Sequence, residues 1–183
     1  KMLGEDKKIN EEGSFNNAKL IHRIIIAAGG GIVNIVFALI VFFILSIFYE
    51  GIQEISFIER LDFAFRNTGG FLMSMVDTIK MLFTGKIGID QMTGPVGISE
   101  IIVQTNGIFN FIYLLCLVSL SLGVTNLLPF PALDGGRIVL LIIEGLRGKA
   151  LEEETELKIQ TTGFLILMML AVYVTYEDIL RIL

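Results

Sequence analysis

Asn126-Leu127-Leu128-Pro129-Phe130-Pro131-Ala132-Leu133-Asp134-Gly135-Gly136 puts a carboxylate, a carboxamide and two prolines inside a stretch of membrane-grade hydrophobicity. Between Glu100 and Glu144 the only charged residues are Asp134 and Arg137. An ionised side chain at membrane depth costs about 3 kcal/mol on insertion scales, so such groups face a polar cavity, a partner or an ion. Asp134 is therefore the first candidate for chemistry. Pro129 and Pro131 lack the backbone donor and bar the helical conformation to the residues before them, so a helix entering this segment must unwind. Unwound backbone is tolerated in a membrane only where protein buries it or where it lines a watery cavity. Gly135-Gly136 allows a tight turn and close approach before a helix restarts near Ile138. The expected product is a break near the inner membrane face that presents Asn126 and Asp134 to one cavity. An asparagine can donate or accept there, and a carboxylate oxygen at about 2.0 to 2.2 Å is an ordinary zinc ligand. A second reading stays open on the same residues: a proline-kinked helix in which Asp134 pairs with Arg137.

The elements that must hold this segment are read from the distribution of apolar residues. Hydrophobic residues make up 54% of 183, and the mean hydropathy is +0.75. Soluble domains sit nearer 45 to 50% apolar. Ile24 to Tyr49 and Ile159 to Tyr176 carry no charge, and neither does Ile108 to Leu128. About 20 apolar residues in a helix cross a hydrocarbon core of about 30 Å, so each of these is a candidate span. None shows the two-residue alternation of barrel strands. The fold class is all-α membrane: a multi-span helical core with a broken helix at Asn-x-x-Pro-x-Pro-x-Leu-Asp-Gly.

Outside the spans, Phe71, Leu72, Met75, Val76, Ile79, Leu82 and Phe83 recur at three- and four-residue spacing, which predicts an external amphipathic helix over about 70–84. Gly69-Gly70 and Gly85 are its expected ends. Lying between two spans, it is expected to rest on the bilayer rather than on a soluble core. Lys7, Lys8, Lys19 and Arg23 precede the first span whereas Glu50 and Glu54 follow it, so the chain is expected to begin on the cytoplasmic side. The expected organisation is a cytoplasmic segment over 1–23, a transmembrane helix over 24–49, and an external segment over 50–106. A transmembrane helix, the break and a short helix follow over 107–148, then a cytoplasmic loop over 149–158 and a last transmembrane helix with a tail over 159–183. The net charge of −5 lies in the connecting segments with no basic stripe, which argues against a nucleic-acid partner. Cys116 is the single cysteine, and it reads as a small buried apolar residue. Glu144 is expected to pair with Arg147 across one helical turn.

Asn126-x-x-Pro129-x-Pro131-x-Leu133-Asp134-Gly135 resembles the second signature of the bacterial site-2 proteases, intramembrane zinc metalloproteases of regulated intramembrane proteolysis. Further along the order of that family, Lys1 to Glu5, Phe15 with Arg23, Gly30-x-x-x-Asn34, Gly94-Pro95-Val96-Gly97-Ile98, Glu144-Gly145 and Glu177-Asp178-Ile179 resemble segments of its bacterial members. The resemblance implies an enzyme of the bacterial cell membrane that hydrolyses a substrate's transmembrane helix. It implies Zn2+ as cofactor, held by Asp134 together with two histidines of an HExxH helix. Asn126 is implied to hold the substrate backbone or the oxyanion, while Asn34, Pro129, Pro131 and Gly135 shape the cavity. The implied partners are the lipid bilayer and a single-span membrane protein such as an anti-sigma factor or a remnant signal peptide.

The departures are equally specific. His22 is the only histidine, so HExxH is absent from this sequence. It is expected to be an interfacial residue rather than a ligand. The sequence begins at Lys1 inside what resembles an internal segment, from which we expect an upstream catalytic helix. A PDZ-type domain cannot fit between Tyr49 and Phe57, and an omission near Gln53 is expected, or else a member naturally without one. Gly31 stands where the family carries proline before Asn34, whose alternative role is an interhelical hydrogen bond. Two other functions fit the same residues: a non-catalytic relative that binds membrane segments, and an ion-coupled transporter built on a broken helix, for which no second Pro-Pro break exists here.

Overall fold

The computed structural model describes residues 18–48 and 56–183, and among them every regular element is helical. Six α-helices follow in order: α1 (Leu20–Phe48), α2 (Phe57–Phe83), α3 (Pro95–Gln104), α4 (Ile108–Asn126), α5 (Asp134–Arg147) and α6 (Glu153–Ile182), with one 3-10 turn at Ile89–Gln91. Three of them, α1, α4 and α6, are long and apolar enough to cross a membrane. They overlap the three charge-free runs. The segments Lys1 to Glu5, Phe15, Lys7, Lys8, Glu50, Gln53 and Glu54 invoked above lie outside the described residues.

The chain divides into two compact units, one of 1–32 with 125–166 and one of 33–124 with 167–183. In the second, Ala38, Phe42 and Leu45 of α1, Ala64 of α2, and Cys116 and Leu120 of α4 form one buried cluster. Ring contacts at 5.4 Å tie Phe42 to Tyr113 and Phe43 to Phe57. Cys116 is fully buried and unpaired, as its sequence setting predicts.

The amphipathic helix differs from expectation in length. Instead of starting after Gly69-Gly70 it starts at Phe57, because Ser56 and Glu59 close a capping box: the Glu59 amide donates to Ser56 Oγ, and the Ser56 amide donates to Glu59 Oε2 at 2.7 Å. Gly69 and Gly70 lie in the helix interior, each costing about 1 kcal/mol relative to alanine. Packing overrides that cost. Phe71 and Leu72 sit against the cluster, Ala64 and Thr68 are buried, and Arg60 Nη1 donates to the Ser46 carbonyl of α1. The helix expected to rest on a bilayer surface is thus packed against α1 and α4 along one face.

α6 likewise begins before the expected span, at Glu153. Glu153, Glu154 and Glu156 occupy its first turn, where carboxylates offset the positive end of the helix dipole. The acidic stretch read as a loop is largely the start of that helix.

Candidate functional site

The helix break falls at the two prolines. α4 stops at Asn126, and seven non-helical residues lead to Asp134, the first residue of α5. Leu128 N–H still reaches back to the Thr125 carbonyl at 3.1 Å, but Phe130 N–H turns tightly onto the Leu128 carbonyl at 2.7 Å. Leu133 N–H then closes on the Phe130 carbonyl at 3.1 Å. Ala132 adopts φ 76°, a left-handed conformation that a side chain disfavours. What holds it there is Gln160 of α6, whose Oε1 accepts from the Ala132 amide at 2.6 Å.

Gly135 and Gly136 are buried, and a methyl group on either would run into backbone: the Leu127 and Leu128 carbonyl oxygens for Gly135, the Phe130 carbonyl for Gly136. The close approach expected of this pair is thus an approach of backbone to backbone. Pro131 packs on Gly163 of α6 in the same way, since a Cβ there would meet the proline ring and its carbonyl. An open, mostly apolar groove lined by Phe130, Pro131, Ile159, Thr162, Gly163 and Ile166, with Lys158 as its one charged residue, runs beside the break.

Asp134 is half-buried in the first turn of α5, where a negative charge is favoured by the helix dipole. Its Oδ2 would lie 3.2 Å from a Cβ on Gly30 of α1, so the absence of a side chain at Gly30 leaves room for the carboxylate. Of the remaining sequence candidates, Asn126 is half-buried at the last turn of α4, Pro129 is exposed, and Pro131 is half-buried. The fold thus puts Asn126, Pro129, Pro131, Asp134 and Gly135 on one continuous break. Asn34 belongs to the other unit, where its backbone carbonyl accepts from Ser119 Oγ of α4 at 3.4 Å. His22 is exposed in the first turn of α1. Among the described residues no three His, Cys, Asp or Glu side chains converge as a metal-binding group.

Two features were not read correctly from sequence. Glu144 does not turn to Arg147; Arg23 of α1 holds it instead, through Nη1 at 2.7 Å and Nη2 at 3.4 Å. A long-range pair of partly buried groups wins over a solvated pair within one helix, because desolvated charges attract more strongly. Asp178, noted only as part of Glu177-Asp178-Ile179, is 1% exposed and accepts from the Gly94 amide at 3.2 Å and the Gly97 amide at 2.8 Å. A signal existed: a helix opening Gly94-Pro95 has no side-chain cap of its own, so its free amides require an acceptor from elsewhere.

Compared with known proteins, residues 1–170 match the model of Peptidase family M50. The zinc metalloprotease RasP of Shouchella clausii (strain KSM-K16) is 41% identical over 135 residues, covering 73% of this chain and 32% of that protein. The zinc metalloprotease RasP of Bacillus licheniformis is 39% identical over 127 residues, 68% of this chain and 30% of that protein. The regulator of sigma-W protease RasP of Bacillus subtilis (strain 168) is 40% identical over 111 residues, 60% and 26% respectively. The chain spans about a third of the length of the curated relatives it matches. A family model that runs from the first residue past the break and well into α6 leaves no other assignment: the chain belongs to Peptidase family M50.

Proposed function

We propose that this chain is part of an intramembrane zinc metalloprotease that cleaves transmembrane segments of membrane-anchored proteins, and that Asp134 is one of its zinc ligands. The observation that carries this reading is a half-buried carboxylate at the first residue of a helix, directly after a proline-broken stretch that follows an apolar helix, in a member of Peptidase family M50. The donor chemistry fits, since carboxylate oxygen is a normal zinc ligand. The number does not, because catalytic zinc takes about three protein ligands and the described residues bring no such group together. Asp134 is therefore one member of a set whose other members lie outside the described residues. Bound zinc supplies a water of pKa near 7 and polarises a carbonyl.

The chain's own residues would serve the substrate. Asn126 offers a carboxamide that can accept from a peptide N–H or donate to a developing oxyanion. Phe130, with Pro131 beside Gly163, leaves irregular backbone next to an apolar groove, where an unwound segment of a membrane helix can lie. A single-span protein such as an anti-sigma factor or a remnant signal peptide is the proposed substrate class, in keeping with a relative whose name, regulator of sigma-W protease, makes it a protease that regulates sigma-W.

The test is Asp134→Ala in the full-length protein, with zinc stoichiometry, cleavage of a single-span substrate and thermal melting measured together. Zinc affinity is expected to fall by about 10²-fold or more, cleavage to vanish, and the melting temperature to change little. Retention of both zinc and cleavage would remove Asp134 from the ligand set.

A further inference from the structure

α5 runs antiparallel along the start of α1, and three contacts fix how the two helices pair. At one end Asp134 Oδ2 faces Gly30; at the other Leu20 Cδ2 seats on Gly145; between them Arg23 grips Glu144. The lengths agree. Leu20 to Gly30 is ten residues and Asp134 to Gly145 is eleven, or about 15 and about 16.5 Å along the two axes.

These contacts differ in what they can specify. A leucine against a glycine tolerates sliding along an apolar surface, and Gly30 only leaves space. A guanidinium that gives two nitrogens to two carboxylate oxygens, with side chains 14% and 22% exposed, is directional and little screened. A slip of α5 by one residue would carry Asp134 about 1.5 Å along α1 and destroy the pair. Functional groups must be held to about 0.5 Å.

We infer that Arg23 and Glu144 are a positioning pair that locks the register of α5 on α1 and so sets the height of the Asp134 carboxylate. The inference rests on the reading of Asp134 as a functional carboxylate. Glu144 stands ten residues along α5 from Asp134, so the pair acts on that carboxylate through the helix.

The test uses Glu144→Gln and the conservative Arg23→Lys in the full-length, zinc-loaded protein, with two readouts. The first is steady-state cleavage: kcat is expected to fall about 10- to 100-fold with KM unchanged, because a displacement near 1 Å costs about that much in rate. The second needs no activity. With Cys116→Ser as background, the disulfide yield between Leu20→Cys and Gly145→Cys is expected to drop at least about threefold in either variant, as register is lost. An unchanged kcat overturns the inference. So does a fall in kcat with the disulfide yield intact, which would make the pair part of the chemistry instead. Should Glu144→Gln fail to fold, Arg23→Lys decides by the same two measurements, since it keeps the charge and loses the fork. If Asp134→Ala leaves cleavage intact while the disulfide yield still follows the pair, the proposed function fails and the register lock stands.

Discussion

Asp134 and Asp178 are both carboxylates at a meeting of helices in an apolar chain, yet the molecule treats them in opposite ways. At Asp178 both oxygens are engaged by the first amides of α3, and Arg181, one turn further along α6, donates to the Asp90 and Met92 carbonyls at 2.6 Å each. A Cβ on Gly94 or Gly97 would strike that carboxylate. Nothing is left over for a ligand. At Asp134 the carboxylate is half-buried, beside Gly30 and next to a stretch whose backbone is pinned by Gln160 and packed against Gly163. The difference teaches that a charge among apolar helices does not itself mark a site. A buried carboxylate whose lone pairs are satisfied by backbone amides is a helix cap in another form. One set beside a helix break and only half-buried remains a candidate for chemistry.

The comparison breaks most severely at the glycines that make the rigid region rigid. Gly135→Ala would push a methyl group into two backbone carbonyls, those of Leu127 and Leu128, which cannot yield as a side chain can. The loss of stability is expected to exceed the about 1 to 3 kcal/mol usual for overpacking, with cleavage lost as well. Gly97→Ala meets the Thr93 methyl and the Asp178 carboxylate instead, both side chains, and is expected to cost less. Thermal melting of the two variants in the same detergent checks the order, and equal losses would mean the break is no stiffer than the α3 cap.

Exchanging the two aspartates sharpens the contrast. Asp178→Ala leaves the buried Gly94 amide and the partly buried Gly97 amide without an acceptor, a buried one being worth about 1 to 3 kcal/mol when unsatisfied, so stability should fall and both amides should exchange faster. Cleavage by the fraction that remains folded is expected to be unchanged. Asp134→Asn should do the reverse, keeping the melting temperature and losing the activity. Hydrogen exchange read beside cleavage separates these outcomes, and a variant of Asp178 that folds normally but does not cleave would erase the distinction.

How much of this was legible in the sequence follows the range of the forces involved. Three spans and the break were readable because they depend on local apolar runs and on prolines that act on their own neighbours. Asn126 and Asp134 stand out as candidates because charge and amide are rare in such runs. Glu144 was misread, since nothing local tells whether a glutamate turns to the arginine one turn ahead or to one more than a hundred residues back. Asp178 was missed for the same reason, its partners lying on the far side of two helices in the chain. The early start of α2 is legible in Ser56-Phe57-Ile58-Glu59, a capping-box sequence, whereas Gly69-Gly70 suggests a boundary that the packing of α2 carries the helix through.

The smallest expected effect concerns that capping box, which contrasts with the Asp178 cap in being open to water. Glu59 is held below the usual glutamate range because its carboxylate accepts from the Ser56 amide first and the Ser56 hydroxyl second, outweighing a small desolvation effect. A carboxyl whose pKa is lower folded than unfolded stabilises the folded end above its unfolded value, near about 4.3, and loses that contribution as pH falls through the lower folded value. The N-terminal turn of α2 is therefore expected to fray on acidification while the α3 cap stays closed. Glu59→Gln should remove the pH dependence without removing the helix, because glutamine can still accept from the Ser56 amide. Amide exchange at Arg60, whose N–H closes the first turn onto the Ser56 carbonyl at 3.1 Å, reads this directly as a function of pH. A pH-independent exchange rate beyond its ordinary base catalysis, identical in wild type and Glu59→Gln, would show that the box closes the helix geometrically and that its charge contributes nothing.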